Sequence, residues 1–285
     1  MKCTTRRRLA LLVTVAAALT GTASCTSARS SGPPEGDREG TSASLTALRS
    51  VERSTDRAES ARVRSTTVMG TELSLEADGA LGWRHGLTGT LTITYTGGTT
   101  AEAMRGLGIT SMEARYLSDA YYARMGDQFA AKAGGKHWLK YAYDDLEALG
   151  GGVNFGDQLL NTTPNQSVKL LLDSADVRAI GEDTVDGRPT THYSGTVEVG
   201  DVSDAELRKQ LEQAGVTTET VDIWVDGQDL LVKKVEKARM ATGELTQTAY
   251  YSDYGLKVSA KEPPADDTED FRDLLERQGG AGGTS

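Results

Sequence analysis

VDIWVDGQDLLVKKVEKARMATGELTQTAYYSDY, residues Val221–Tyr254, decides the fold class. Val221, Ile223 and Val225 alternate with polar neighbours, the period of a strand with one buried face. Asp226-Gly227 turns the chain into Leu230–Ala241, and Thr242-Gly243 turns it into Leu245–Tyr254. Asp-Gly and Thr-Gly supply the backbone conformations that tight hairpins need. Three antiparallel strands follow from these residues alone.

The same grammar holds on either side. Upstream, Asp186-Gly187 separates Ala179–Val185 from Thr190–Val199, a further hairpin. From Val63, Leu73 and Leu75 alternate with Glu72, Ser74 and Glu76, and Leu91, Ile93 and Tyr95 alternate with threonines. Met112, Ala114 and Tyr116 continue the pattern, followed by Tyr121, Ala123 and Met125 and by Trp138–Tyr143. Helical spacing interrupts it in few places. Ser42 to about Arg62 carries Leu45, Leu48, Val51 and Ala58 near one face. Asp144–Leu149 is a short helix ended by Gly150-Gly151-Gly152, and Asp157–Leu160 is another turn. Pro164 opens a helix bearing Val168, Leu170, Leu171 and Leu172. Ser203-Asp204-Ala205-Glu206 reads as a capping box before Leu207, Leu211 and Ala214, and Gly215 ends that helix. Phe271, Leu274 and Leu275 make a short closing helix. The body is one α+β unit, a large antiparallel sheet with helices grouped on one side.

The N-terminus is an address. Lys2, Arg6, Arg7 and Arg8 precede eleven uncharged residues, Leu9–Leu19, which fit the apolar region of a secretory signal and are too few to span a bilayer. Thr20-Gly21-Thr22-Ala23-Ser24-Cys25 resembles the lipobox of bacterial lipoproteins, with Thr22 where that pattern usually has Leu. The resemblance implies a diacylglyceryl thioether on Cys25 and palmitate-type acylation there; the other outcome is ordinary secretion with Cys25 free. The domain reading is signal peptide 1–24, lipidated Cys and disordered tether 25–41, body 42–277 and flexible tail 278–285. Thr26–Thr41 lacks large apolar residues, and as a flexible coil would reach roughly 20–24 Å.

Three stretches lie together in a familiar order: Val185–Gly195 with its Asp-Gly-Arg-Pro-Thr-Thr-His-Tyr core, Ile223-Trp224-Val225-Asp226, and Tyr251-Ser252-Asp253-Tyr254-Gly255 with Pro263-Pro264 behind it. Behind a lipobox, they resemble the actinobacterial lipoproteins related to the LolA-like carriers and the mycobacterial LppX and LprG group. The resemblance covers about Ser42–Leu275 and is strongest in the second half. It implies a strongly curved antiparallel half-barrel, helices on its concave side, and an apolar cavity holding acyl chains. Leu91, Ile93, Tyr95, Met112, Val168, Leu171 and Leu172 are the expected wall. Those apolar residues either line a void or interdigitate into a dry core. The expected role is a membrane-anchored extracytoplasmic protein that binds or carries a lipid or other amphiphile; the alternative is an envelope sensor or scaffold with a filled core and a protein partner.

Composition and motifs narrow the chemistry. Of 285 residues, 38% are hydrophobic, enough for a sizeable core. Net charge is −10, which disfavours nucleic acid as a partner. The two cysteines, Cys3 and Cys25, both lie at the N-terminus, so neither a disulfide framework nor a Cys-ligated metal is expected in the body. His85, His137 and His192 stand in separate segments without metal-ligand spacing. No nucleophile elbow or Ser-x-x-Lys is present, and Gly134-Gly135-Lys136 reads as a turn. Asp266, Asp267, Glu269 and Asp270 read as a solvated acidic run, and Asn161-Thr162-Thr163 matches only a short sequon. The ten tyrosines sit mostly in strands, where a half-exposed sheet is their default. No catalysis, cofactor or metal is expected.

Overall fold

The computed structural model describes residues 35–148 and 163–281. The signal region, Cys25, most of the tether, the Gly150–Gly152 stop, the Asp157–Leu160 turn, the Asn161 sequon and the last four residues lie outside them.

Helix α1 runs Glu35–Ala58 and leads into β1, Ser60–Met69. The helix begins seven residues before the expected Ser42 and stops four before Arg62. At the other end Glu59 takes a left-handed φ of 61°, and Ser60 and Ala61 are already buried in β1.

Then come β2 (Leu73–Gly82), β3 (Thr88–Gly97), α2 (Gly98–Gly106), β4 (Ser111–Tyr116), β5 (Ala120–Arg124), α3 (Asp127–Ala130), β6 (Trp138–Ala142) and α4 (Tyr143–Ala148). The second half has α5 (Pro164–Asp173), β7 (Arg178–Val185), β8 (Arg188–Glu198), α6 (Ala205–Gln213), β9 (Thr218–Asp226), β10 (Leu231–Met240), β11 (Gly243–Ser252), β12 (Thr268–Asp270) and α7 (Phe271–Ala281). Among the described residues the twelve strands form one sheet, ordered β12-β6-β5-β4-β3-β2-β1-β11-β10-β9-β8-β7. Every pairing is antiparallel except β12 against β6, which is parallel. The fold is thus α+β, one open and almost wholly antiparallel twelve-stranded sheet with helices packed on it.

Burial assigns the two faces. One hydrophobic cluster takes residues from β1–β6 and β8–β11, and every helix adds to it, for example Leu48 and Val51 from α1, Val168 and Leu171 from α5 and Leu207 from α6. All described helices therefore lie over the inner face. Among the described residues the outer face carries small apolar clusters, one around Val185, Trp224 and Val232 and one around Ala120, Tyr122 and Trp138. His192 stacks on Trp224 at 4.3 Å and pairs with Asp222 at 2.8 Å, a packing role within the sheet.

Three local readings change. Asp204, not Ser203, caps α6, accepting the Leu207 N–H at 3.1 Å. Ser203 instead gives its hydroxyl and its N–H to Asp173 at the end of α5, an acceptor that sequence spacing cannot reveal. The acidic run at 266–270 is not uniformly solvated. Glu269 is buried in β12, where it meets Lys136 and Arg277, and Asp267 pairs with His137 at 2.6 Å. Burial raises the Glu269 carboxyl, but the hydrogen bonds from Lys136 and Arg277 outweigh it and hold the group below its usual value.

Candidate functional site

The inner face has two chemically distinct halves and an opening between helices. The β3–β6 half is aromatic. Tyr116, Tyr121 and Tyr141 occupy one rung across β4, β5 and β6. Tyr121 stacks on Tyr141 at 4.5 Å, and Phe271 of α7 covers Tyr141 at 4.7 Å. Tyr95 on β3 reaches Met112 Sδ at 3.6 Å. Burial pushes the Tyr95 and Tyr143 hydroxyls up to about 12 and raises those of Tyr116 and Tyr121 further. These groups stay neutral and act as bulk. Tyrosine, read from sequence as a half-exposed residue, is the filler of this interior, compensating for three Phe and three Trp in the whole chain. The hydroxyls of Tyr116 and Tyr143 are buried without a protein hydrogen-bond partner.

The β9–β10 half is ionic. Lys234, Glu236 and Glu219 are 0%, 6% and 3% exposed. Register explains their meeting: Lys234 lies opposite Ile223, Glu236 opposite Val221 and Ala238 opposite Glu219, all on the inner face. Lys234 Nζ donates to Glu236 Oε2 at 2.9 Å, and Ser167 Oγ of α5 donates to Glu236 Oε1 at 2.6 Å. Burial first, then the Glu236 charge, pushes Glu219 up to about 8, and Lys234 offsets only part of this. At neutral pH Glu219 keeps its proton, so the cluster carries one positive and one negative charge. Its Oε2 is buried with no protein partner.

Between α1, α5 and α6 the inner layer opens as a groove of about 270 Å³. This lies near the lower end of ligand-site volumes, roughly 300–1,000 Å³. Leu170, Leu172, Val202 and Leu207 supply its apolar lining; Glu52, Asn165, Lys169 and Asp173 are among its polar residues. Leu170, Val202 and Leu207 also belong to the inner hydrophobic cluster, so the groove floor is continuous with the core. Asn165 gives Nδ2 to Asp56 of α1, while its Oδ1 is buried and unpartnered.

Of the expected wall, Leu91, Ile93, Tyr95, Met112, Val168 and Leu171 all lie buried in one hydrophobic cluster. Ile93 sits directly opposite Met112. Leu172, partly buried, is the member that lines the groove. Missed by sequence were Glu52, Asn165, Val202 and Leu207 as groove residues and the ionic cluster. The hydropathy of β10 hides that cluster, because Val235 faces outward beside Trp224 while Lys234 and Glu236 face inward. Among the described residues no His, Cys, Asp and Glu cluster could hold a metal ion. No described helix is long and apolar enough to cross a membrane.

The site is therefore a groove between helices laid over one face of an open antiparallel sheet. The chain is 58% identical over 300 residues to the candidate lipoprotein SCO4650 of Streptomyces coelicolor, covering 98% of this chain and 100% of that one, and it belongs to the same family. A 31.2 kDa Streptomyces griseus protein from the rplA-rplJ intergenic region is 51% identical over 250 residues, covering 83% of this chain and 82% of that protein. Among solved structures, Mycobacterium tuberculosis LppX is similar with a TM-score of 0.49 at 18% identity, over 77% of this chain and 99% of that one. Mycobacterium bovis LprF has a TM-score of 0.48 at 15% identity, over 79% and 98%. No family model matches the chain.

Proposed function

We propose that the chain is an extracytoplasmic lipoprotein, anchored through a lipidated Cys25, that holds the apolar part of an amphiphile in its half-barrel. The observation carrying this reading is the groove between α1, α5 and α6, whose apolar floor is continuous with the core. Leu170, Leu172, Val202 and Leu207 are its contact residues, and Leu91, Ile93, Tyr95, Met112, Val168 and Leu171 belong to the hydrophobic cluster with which that floor is continuous. Its thermodynamics are simple. Each acyl methylene moved from water into such a surface contributes ~0.8 kcal/mol. A relative of 58% identity that carries the lipoprotein name, and the basic, apolar and small-residue order of residues 2–25, support the anchor. The functional role is binding, not catalysis. Delipidated protein mixed with vesicles of labelled acyl lipid tests it: saturable extraction is expected, and no uptake from any lipid class would contradict it.

The aromatic half favours a second reading. Tyr116, Tyr121, Tyr141 and Phe271 stack as a self-filled interior, which suits a sensor or scaffold that binds an envelope protein. In-cell crosslinking that traps one protein and no lipid would select that reading.

A further inference from the structure

Resting on the reading above, that the groove between α1, α5 and α6 takes an amphiphile, we propose that α5 is a proton-gated wall of that groove, seated while Glu219 beneath it holds a proton and released when the proton leaves. α5 packs across β8, β9 and β10 and gives Asn165, Lys169, Leu170, Leu172 and Asp173 to the groove. One polar tie of α5 to the sheet is Ser167, whose hydroxyl donates to Glu236 Oε1 at 2.6 Å. Lys234 holds the other Glu236 oxygen at 2.9 Å, so both are in use. Glu219 belongs to the same buried cluster. Among the described residues, β8 sets neutral Val197 opposite it, and β10 sets Ala238 opposite it with Lys234 and Glu236 further along. β11 places neutral Gln247 opposite Glu236. From above, α5 presents neutral Ser167, while its charged Lys169 and Asp173 line the groove instead. The cation of the cluster is therefore already engaged by Glu236, and Glu219 Oε2 is buried with no protein partner. A second carboxylate charge there would leave that oxygen without a donor, a costly state that water entry relieves. The strands hold one another in register, so the covering helix is the element that yields. α5 cannot move inward, because Leu171 and Ser174 leave no room even for a Cβ at Gly195. It can only rise, and rising widens the groove. Protons set the direction. Seated, Glu219 keeps its proton up to about 8, whereas in water it sheds it near 4.5. Seating is therefore favoured at low pH and weakens as pH rises.

The test follows α5 by hydrogen exchange at pH 7 and pH 9, above the ordinary histidine range, after correction for intrinsic exchange rates. Protection over residues 164–173 should fall about tenfold between the two, as linkage requires for a group moving between these two environments, while β1–β3 keep theirs. Dodecyl maltoside carries no charge at either pH. Titrated calorimetrically below micelle formation, it should bind about tenfold tighter at pH 9. E219Q, whose amide cannot ionise, should flatten both responses. E102Q, which removes an exposed carboxylate on α2, should keep them. S167A, which removes the tie to Glu236, should lower α5 protection at both pH values and keep the slope, so the test survives if E219Q does not fold. Far-ultraviolet dichroism and a thermal melt check each variant. No fall in α5 protection, a fall spread over the whole chain, or an equal fall in E219Q would overturn the proposal. Equal binding of dodecyl maltoside at both pH values would overturn it and leave the amphiphile reading standing. If dodecyl maltoside does not bind and labelled acyl lipid is not extracted from vesicles, while α5 alone loosens in the parent, the gate stands and the amphiphile reading fails.

Discussion

Glu219 is a carboxyl whose protonation the fold controls. Its folded value of about 8 exceeds its ordinary 4.5 because burial and Glu236 disfavour the charge. The folded state therefore retains a proton that the unfolded chain has released above about pH 4.5. Stability from this group is full below pH 4.5 and is lost as pH rises towards 8. Urea melts should show E219Q with a shallower decline than the parent between pH 5 and 8; parallel curves would contradict the assignment. Lys234 is the complementary case. K234M leaves Glu236 buried without its cation and should cost about 3 kcal/mol in the same melts. None of this was legible by hydropathy. The alternation of Val221, Ile223 and Val225 gave the inner face of β9 correctly, but the row begins with Glu219. On β10 the pattern is inverted by a register shift between Leu231 and Lys233, which puts charge inside and Val235 outside.

At the scale of elements, α5 is the piece that makes the site. It lies directly on β8: a Cβ at Gly195 would fall 2.6 Å from Ser174 Oγ and 3.0 Å from Leu171 Cδ2. G195A should therefore push the helix off its seat, cost about 2 kcal/mol and alter the groove, read as a lower melting temperature with weaker amphiphile uptake. The C-terminal strand has its own clamp. E269Q exchanges a carboxylate that meets both Lys136 and Arg277 for an amide, and should loosen β12 and α7 by about 2 kcal/mol. Hydrogen exchange would localise the change to residues 268–281, and uniform protection would contradict it. The hairpins were readable because their turns demand particular residues. Asp186 and Gly187 both take positive φ, as the Asp-Gly signal requires. The parallel β12 was not readable. It is three residues long, and what fixes it is a partner 130 positions away, between Asp267 and His137. The start of α1 at Glu35 was hidden for a different reason, since its first turns have no apolar stripe for periodicity to detect.

For the whole molecule, the sheet class followed from repeated alternation and turns, whereas the use of its inner face did not. From sequence a half-exposed sheet was the default for tyrosine, with Tyr95 alone placed on the expected wall, and the structure spends Tyr116, Tyr121 and Tyr141 as well on filling one half. None of these three tyrosines lines the groove between α1, α5 and α6. The anchor is a separate question with a direct check. C25A should abolish metabolic labelling with palmitate and release the protein from the membrane fraction; retention of label would contradict anchoring through that cysteine. The account as a whole stands on an amphiphile seated against the inner face. Native mass spectrometry of the protein purified from its own host without detergent tests this most directly. The account predicts a population heavier than the covalently complete chain by one amphiphile, which collisional activation releases. A spectrum containing only the chain mass, after exposure to the host's own membrane lipids, would contradict it.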